Sequence, residues 1–246
     1  MKNIFLNDFF SLVNYDWSED EEAIKQICYY TKTRVREGWN SNFEFSYGME
    51  QPFAIKAIAE WQESKSLFEM GTGRGTSCYA ASLASKVERI ITVDIIPFEQ
   101  GRKEAIGHKP AFVSNKDLYE MVAIETKDKI SFHQRQDCSD LISTNSGFDL
   151  FFIDGNHTDY NVIFEDFLIC QIMSSENSVF IFDDYDPNKF AVRDVVAAVQ
   201  DKWPKYQGFL LSTRGHLFPD QRPIEKESGM VVLKKGGFPG IHESFL

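Results

Sequence analysis

Short apolar segments alternate with longer segments of helical pattern from residue 66 onwards, and this alternation constrains the fold more than any other feature of the sequence. Several apolar segments, such as residues 148–154, are apolar on both faces, which is typical of parallel strands covered by helices on both sides. The pattern predicts an α/β protein with a doubly wound, mostly parallel sheet of seven strands. The predicted strands are residues 66–70, 89–94, 129–135, 148–154, 178–183, 208–212 and 230–233. The helices predicted between them are residues 76–85, 116–125, 160–173 and 191–203.

The first 60 residues have a different character, because they are helical in pattern and rich in aromatic residues. Ser18 followed by four acidic residues is typical of a helix start, where a capping hydroxyl and negative charges suit the positive end of the helix. A second helical pattern covers about residues 50–63. We therefore predict an N-terminal helical cap on the substrate side at residues 1–60 and an α/β domain at residues 61–246.

Composition and charge argue against several classes of protein. The chain has 26 basic and 37 acidic side chains, a net charge of −11, and an acidic surface repels a nucleic-acid backbone. No stretch approaches the ~18 apolar residues of a membrane-spanning helix, and the N-terminus lacks the pattern of a secretory signal. The four cysteines form no CxxC pair and are typical of reduced, buried thiols. We expect a cytoplasmic protein that binds neither nucleic acid nor membrane, and the sequence leaves open whether it forms a homo-oligomer.

A glycine-rich turn follows the first strand of the α/β domain, in the sequence EMGTGRG at residues 69–75. Gly71 and Gly73 allow a sharp turn and let a ligand lie against bare main chain, and Gly75 permits close packing of helix and strand. The spacing differs from that of dinucleotide-binding and P-loop motifs. Glu69 would repel a pyrophosphate and attract an ammonium group. The turn therefore indicates a ligand with a cationic amino-acid end.

Two further acidic residues follow the next two strands. Asp94 ends the second strand, where an acid binds ribose hydroxyls in nucleotide-binding folds. Asp137 follows the third strand and could reach an adenine amino group. A glycine turn, a ribose acid and an adenine acid in this order predict S-adenosylmethionine (SAM) as the cofactor. The residues predicted to contact SAM are Glu69, Gly71, Thr72, Gly73, Gly75, Thr76, Ser77, Asp94, Ile95, Asp137, Cys138 and Asp154.

This constellation resembles the class I SAM-dependent methyltransferases over about residues 60–235. The resemblance implies a Rossmann-like methyltransferase fold, in which the last of seven strands is antiparallel, and it implies that SAM is a methyl donor. The closely spaced final pair of predicted strands agrees with such a sheet.

Three carboxylates are predicted to meet at the ends of the fourth and fifth strands. Asp154 ends the fourth strand, Asp183 and Asp184 end the fifth, and ligands of open α/β sheets bind beyond the carboxyl ends of the strands. Carboxylates crowded in this way either have raised pKa values or bind a cation. Oxygen ligands without cysteine suit a hard ion such as Mg²⁺. The alternative is that Asp154 or Asp183 anchors a loop by accepting hydrogen bonds from main-chain amides.

His157 lies three residues after Asp154. Because histidine titrates near neutral pH, a histidine beside a hydroxyl that is bound to a cation could remove the hydroxyl proton. The alternatives are a residue at the start of a helix or a hydrogen-bond donor to the substrate.

The pattern Asp-Gly-x-His followed by Asp-Asp-Tyr is similar to that of the metal-dependent sugar O-methyltransferases of macrolide and aminocoumarin biosynthesis, such as the macrocin and mycinamicin enzymes. The resemblance implies that Asp154, Asp183 and Asp184 hold Mg²⁺ and that His157 is the base. It does not extend to the N-terminal third of the chain.

We therefore expect an enzyme that transfers a methyl group from SAM to a hydroxyl of a small molecule, such as a sugar or a polyol-bearing metabolite. His157 and Asp154 are the predicted catalytic residues, and Mg²⁺ would stabilise the developing alkoxide. Two alternatives stay open: a metal-independent methyltransferase acting on nitrogen or on a protein side chain, and a non-catalytic cofactor-binding subunit. A nucleic-acid methyltransferase is disfavoured by the net charge.

Overall fold

The computed structural model describes residues 1–31, 44–106, 109–186, 188–219 and 227–238. The strands are β1 (Lys2–Phe5), β2 (Ser66–Met70), β3 (Arg89–Asp94), β4 (Arg102–Ile106), β5 (Lys109–Val113), β6 (Ile130–Gln134), β7 (Phe148–Ile153), β8 (Ser174–Tyr185), β9 (Tyr206–Ser212) and β10 (Gly229–Lys235). The α-helices are α1 (Leu6–Leu12), α2 (Glu21–Tyr30), α3 (Gln51–Trp61), α4 (Thr76–Ser82), α5 (Asn115–Met121), α6 (Cys138–Thr144), α7 (Tyr160–Met173) and α8 (Val192–Lys202). Short 3₁₀ helices lie at Trp17–Asp20, Glu125–Lys129 and Arg135–Asp137.

Eight of the described strands form one sheet, in the order β1-β9-β10-β8-β7-β2-β3-β6, and β4 and β5 form a separate antiparallel pair. The five strands β8, β7, β2, β3 and β6 are parallel to one another, whereas β10 is antiparallel to both β8 and β9. The predicted doubly wound α/β sheet with an antiparallel last strand is confirmed.

The sheet contains one strand more than the seven predicted, because Lys2–Phe5 pairs in parallel with β9 at the edge of the sheet. The prediction had included this stretch in a helical segment. Four residues carry too little alternation to distinguish a strand from a helix, and the partner residues 209–212 lie at the other end of the sequence. Pairing with a distant segment therefore decides the structure of this stretch.

Helices cover both faces of the sheet, and the core of the described residues accordingly divides into two clusters. Along β7, Leu150 and Phe152 belong to the first cluster, with α1 to α4, whereas Phe151 and Ile153 belong to the second, with α7 and α8. Successive side chains of a strand point to opposite faces of the sheet. A central strand with two buried faces must therefore be apolar throughout, which explains the sequence of β7.

The helices predicted within the first 60 residues are present as α2 and α3, and both pack into the first core cluster. The predicted start at Ser18 is wrong, because Ser18 lies within the 3₁₀ helix Trp17–Asp20, which Asp16 caps, and α2 begins at Glu21. Residues 32–43 of this segment lie outside the described residues. The division of the chain at residue 60 stays a prediction.

Two findings bear on the environment of the chain. All four cysteines are buried and free of disulfides, as the prediction of buried, reduced thiols requires. Among the helices that the structure describes, none has the length and the apolar character needed to cross a membrane.

Replacing Phe167 with alanine is expected to lower the free energy of unfolding by about 3–5 kcal/mol, because it removes a fully buried ring from the second core cluster. The ring contacts those of Phe180 and Tyr206, with centroids 5.4 and 5.7 Å away. Ile172→Ala on the same helix is the matched control, since Ile172 is 65% exposed, and its effect should stay within about 0.5 kcal/mol. Urea unfolding followed by circular dichroism measures both, and equal losses in the two variants would contradict the packing described here.

Candidate active site

A cavity of about 610 Å³ opens at the carboxyl ends of β2, β3, β7 and β8. This is the edge at which open α/β sheets bind their ligands. Eight of the residues predicted from the sequence to form the site line the cavity. They are Gly71, Gly73, Asp94, Ile95, Asp154, His157, Asp183 and Asp184.

The glycine turn between β2 and α4 depends on backbone conformations that favour glycine. Gly71, Gly73 and Gly75 have φ angles of +100°, +52° and +78°. The turn is held against β3, because the Gly71 amide donates to the Val93 carbonyl at 2.8 Å. A Cβ atom on Gly71 would collide with the main chain of Asp154, so the turn and the carboxylate loop touch directly at this glycine.

Asp94 is held by main-chain amides on both sides. Its Oδ2 accepts from the Gly73 amide at 3.0 Å, and its Oδ1 accepts from the Ile96 amide at 2.9 Å. Ile95 between them is 81% exposed and lies at the cavity wall. These bonds fix the relative positions of the ends of β2 and β3.

Glu69 is fully buried and does not line the cavity. Its two carboxylate oxygens accept hydrogen bonds from the hydroxyls of Ser77 and Thr92. Burial raises the pKa of Glu69 to about 7, and the two hydroxyl donors oppose this rise. The Glu69 carboxyl group thus links β2 to the start of α4 and to β3, next to the glycine turn.

The other predicted cofactor residues lie behind the cavity wall. The Thr72 and Thr92 hydroxyls are 2.7 Å apart, and the Thr76 hydroxyl donates to that of Thr31 at 2.9 Å. The Asp137 carboxylate accepts from the Gln134 amide at 2.9 Å. Seven residues of the predicted cofactor set do not line the cavity. They are Glu69, Thr72, Gly75, Thr76, Ser77, Asp137 and Cys138.

Replacing Glu69 with glutamine is expected to flatten the pH dependence of stability. Because the pKa of Glu69 in the folded protein lies above its ordinary value, this group stabilises the fold at low pH, and the contribution is lost as the pH rises through about 7. The loss of unfolding free energy between about pH 5 and pH 8 should shrink by roughly 2–3 kcal/mol in the variant. Thermal unfolding at several pH values measures this difference, and parallel curves for the two proteins would rule it out.

Two of the three predicted carboxylates, those of Asp154 and Asp184, lie beside His157. His157 Nδ1 lies 3.2 Å from Asp184 Oδ2 and 3.8 Å from Asp154 Oδ1. The other oxygen of Asp184 lies 3.1 Å from Nη2 of Arg214, and Asp184 itself has a φ of +52°. An aspartate in this backbone conformation is uncommon and is stabilised by its partners.

Gln51 links two of the carboxylates. Its Nε2 donates to Asp183 Oδ2 and, at 3.4 Å, to Asp154 Oδ2. Gln51 is the first residue of α3, so the N-terminal segment contributes to this side of the cavity. The sequence contained no signal for Gln51 or for Arg214, because neither belongs to a motif or to a strand end.

The crowding of the carboxylates changes their titration. Burial and the charges of Asp183 and Asp184 raise the pKa of Asp154 well above its ordinary value. Burial and the charge of Asp184 raise the pKa of Asp183 to about 7. Among the described residues, Asp154, His157 and Asp184 each offer one ligand atom within 4.8 Å of the others, and Asp183 does not belong to this set. The site therefore has the excess negative charge that a cation would neutralise.

Comparison with known proteins agrees with the fold. Residues 68–185, a little under half of the chain, match the family model of a methyltransferase domain. A search of curated proteins finds no match.

Several solved structures share the architecture. The O-methyltransferase TomG from Streptomyces achromogenes, in complex with SAM, is 15% identical, with 88% of this chain and 90% of that chain covered and a TM-score of 0.52. An O-methyltransferase from Bacillus cereus in complex with SAH is 15% identical, with 86% and 90% covered and a TM-score of 0.54. The Podospora anserina methyltransferase PaMTH1, bound to SAH, is 16% identical, with 87% and 88% covered and a TM-score of 0.54.

Residues 68–185 thus match a methyltransferase domain, and the solved structures share its architecture, so the Rossmann-like methyltransferase fold predicted from the sequence is confirmed. Membership of the macrocin-type group stays a prediction.

Proposed function

We propose that this chain is an O-methyltransferase that uses SAM and a divalent ion, Mg²⁺, to methylate a hydroxyl of a small molecule such as a sugar or a polyol-bearing metabolite. The observation that carries the proposal is one cavity that joins the glycine turn and Asp94 to a cluster of carboxylates with a histidine. The net charge of −11 favours a small acceptor over a nucleic acid.

The cofactor would lie along the ends of β2 and β3. Gly71 and Gly73 present bare main chain to the amino-acid end of SAM, and Asp94, positioned by two amides, would bind the ribose hydroxyls. Ile95 offers an exposed apolar surface to the base. The predicted residues behind the wall, with Glu69 at their centre, would act by holding the turn in shape.

The donor set fits a divalent ion. Asp154 and Asp184 bring carboxylate oxygens close together, and such oxygens favour Mg²⁺ or Mn²⁺. We retain Asp183 as a further ligand, because the Gln51 amide joins its carboxylate to that of Asp154. A bound ion would lower the pKa of a coordinated hydroxyl and align that hydroxyl with the methyl group.

His157 is suited to act as the base. In a neutral imidazole, a proton on Nδ1 that is donated to Asp184 leaves Nε2 as an acceptor. Nε2 would take the proton of the acceptor hydroxyl while the oxygen forms a bond to the methyl carbon and the methyl–sulfur bond breaks, which leaves SAH as the product. Because Nδ1 is then engaged, this role assigns the ion to the carboxylates alone.

A metal-independent methyltransferase is the second candidate. It is favoured by the ion pair between Arg214 and Asp184 at 3.1 Å, since the guanidinium already neutralises part of the negative charge. In that case the His157–Asp184 pair would activate the nucleophile without an ion.

Removal of divalent ions tests the proposal. Protein treated with EDTA and desalted is expected to lose at least ~10-fold of its methyl transfer from radiolabelled SAM to a panel of sugar and polyol acceptors, and added Mg²⁺ should restore it. Binding of SAH, measured by calorimetry, should stay unchanged, because the glycine turn and Asp94 need no ion to bind it.

Asp184→Asn is the variant that reports on the ion directly. Its affinity for Mn²⁺, measured by electron paramagnetic resonance, should fall by roughly 10- to 100-fold. Undiminished methyl transfer after metal removal would favour the metal-independent alternative. Binding of SAH without transfer to any acceptor would favour a non-catalytic subunit.

A further inference from the structure

A partly buried ion pair lines the same cavity away from the carboxylate cluster. Arg135 follows the edge strand β6, and its Nη1 donates to Oδ1 of Asp166 on α7. Its Nη2 lies 3.2 Å from Glu165, which is exposed. Both Arg135 and Asp166 line the cavity, although only 3% of Asp166 is accessible to solvent.

One oxygen of Asp166 is available to a ligand. Oδ1 is bonded to Arg135, whereas Oδ2 accepts no hydrogen bond from the residues that the structure describes. Oδ2 lies 3.4 Å from the position that a Cβ atom on Gly155 would occupy, under the loop that follows β7. Asp166 and Gly155 both line the cavity, so a ligand bound there can donate a hydrogen bond to this oxygen.

The surroundings indicate which kind of ligand this is. Ile95 and Val162 give this part of the cavity apolar surface, and Val162 lies one helical turn before Asp166 on α7. An apolar slot with one carboxylate acceptor suits a flat heterocycle that carries an amino group. Asp137, which the sequence had suggested for this task, does not line the cavity and instead accepts from the Gln134 amide.

We infer that Asp166, oriented by Arg135, accepts a hydrogen bond from the exocyclic amino group of the cofactor's adenine and so selects the base. This inference rests on the proposed binding of SAM in the cavity. Arg135 acts through Asp166 as a positioning residue, because its guanidinium holds Oδ1 and thereby turns Oδ2 towards the ligand.

Calorimetry with SAH and S-inosylhomocysteine tests the inference at about pH 8. In the second compound a carbonyl oxygen replaces the exocyclic amino group and N1 carries a hydrogen, so the base offers Asp166 an acceptor at the position of the amino group. We expect wild-type protein to prefer SAH by roughly 10-fold or more. Asp166→Asn, which can donate from its amide, should reduce that preference to about threefold or less. Glu165→Gln is the matched control and should retain the preference, since Glu165 also pairs with Arg135 but at the surface.

Asp137→Asn separates the two candidate acids and does not depend on the folding of the Asp166 variant. Retention of the preference in Asp137→Asn supports the inference, and its loss there would overturn it. An unchanged preference in folded Asp166→Asn would overturn the inference while leaving the proposed function intact. Failure of wild-type protein to bind SAH would instead overturn both.

Discussion

The His157→Gln variant is expected to transfer methyl groups about 100- to 10,000-fold more slowly than the wild type, the usual range for loss of a general base. Glutamine has similar length and still forms hydrogen bonds, but it cannot take up a proton at the pH of the assay. Its affinity for SAH should stay within about threefold, because the glycine turn and Asp94 that would hold the cofactor are untouched. Turnover of the best acceptor in the panel, together with calorimetry of SAH, measures both quantities.

Mn²⁺ binding separates the two chemical roles open to His157. If His157 is the base, the variant keeps the Mn²⁺ affinity of the wild type, because Nδ1 is paired with Asp184 and the ion lies on the carboxylates. If His157 is a ligand, Mn²⁺ affinity falls together with the rate. His133→Gln on β6 is the matched control and should leave both unchanged. A rate within about threefold of wild type in His157→Gln would exclude the base role.

The Gly71→Ala variant is expected to lose SAH binding by at least ~100-fold, or to fold less stably by roughly 3–5 kcal/mol, for two additive reasons. The φ of +100° is strained for alanine, and the new Cβ would collide with the main chain of Asp154. Relief of that collision must move either the turn or the loop that carries Asp154, and both line the cavity. Calorimetry and thermal unfolding measure the two effects.

Gly147→Ala isolates the contribution of backbone strain. Gly147 has a φ of +73°, but a Cβ there meets nothing within 4 Å, so its variant should lose only ~1–2 kcal/mol of stability and keep its affinity for SAH. Similar behaviour of the two variants would show that the contact between Gly71 and Asp154 has no special role in the site.

Much of the sheet could be predicted because its signal is local. A strand such as β7 must be apolar throughout when both of its faces are buried. Its six consecutive residues, mostly apolar, are therefore enough to predict a buried strand. The glycine turn was recognisable for the same reason, since its three positive φ angles need glycine at those positions. Parallel strands place their carboxyl ends at one edge, so the meeting of Asp154 with Asp184 followed from the order of the strands.

The strand Lys2–Phe5 could not be predicted in this way. Its four residues become a strand because β9 offers an unpaired edge, and β9 lies near the other end of the chain. Gln51 and Arg214 reach the carboxylates from α3 and from the segment after β9, and neither position carries a motif. Their roles depend on distances between segments that are far apart in sequence.

The sequence by itself determined the class of fold, the glycine turn and the acids at the strand ends, because each depends on neighbouring residues or on strand order. Only the tertiary structure decided which side chains face the cavity. It buried Glu69 beneath Ser77 and Thr92, tied Asp137 to a main-chain amide and turned Asp166 on α7 towards the cavity. The physical reason is that burial and hydrogen-bond partners are set by the packing of helices onto the sheet, and residue type and spacing do not specify that packing.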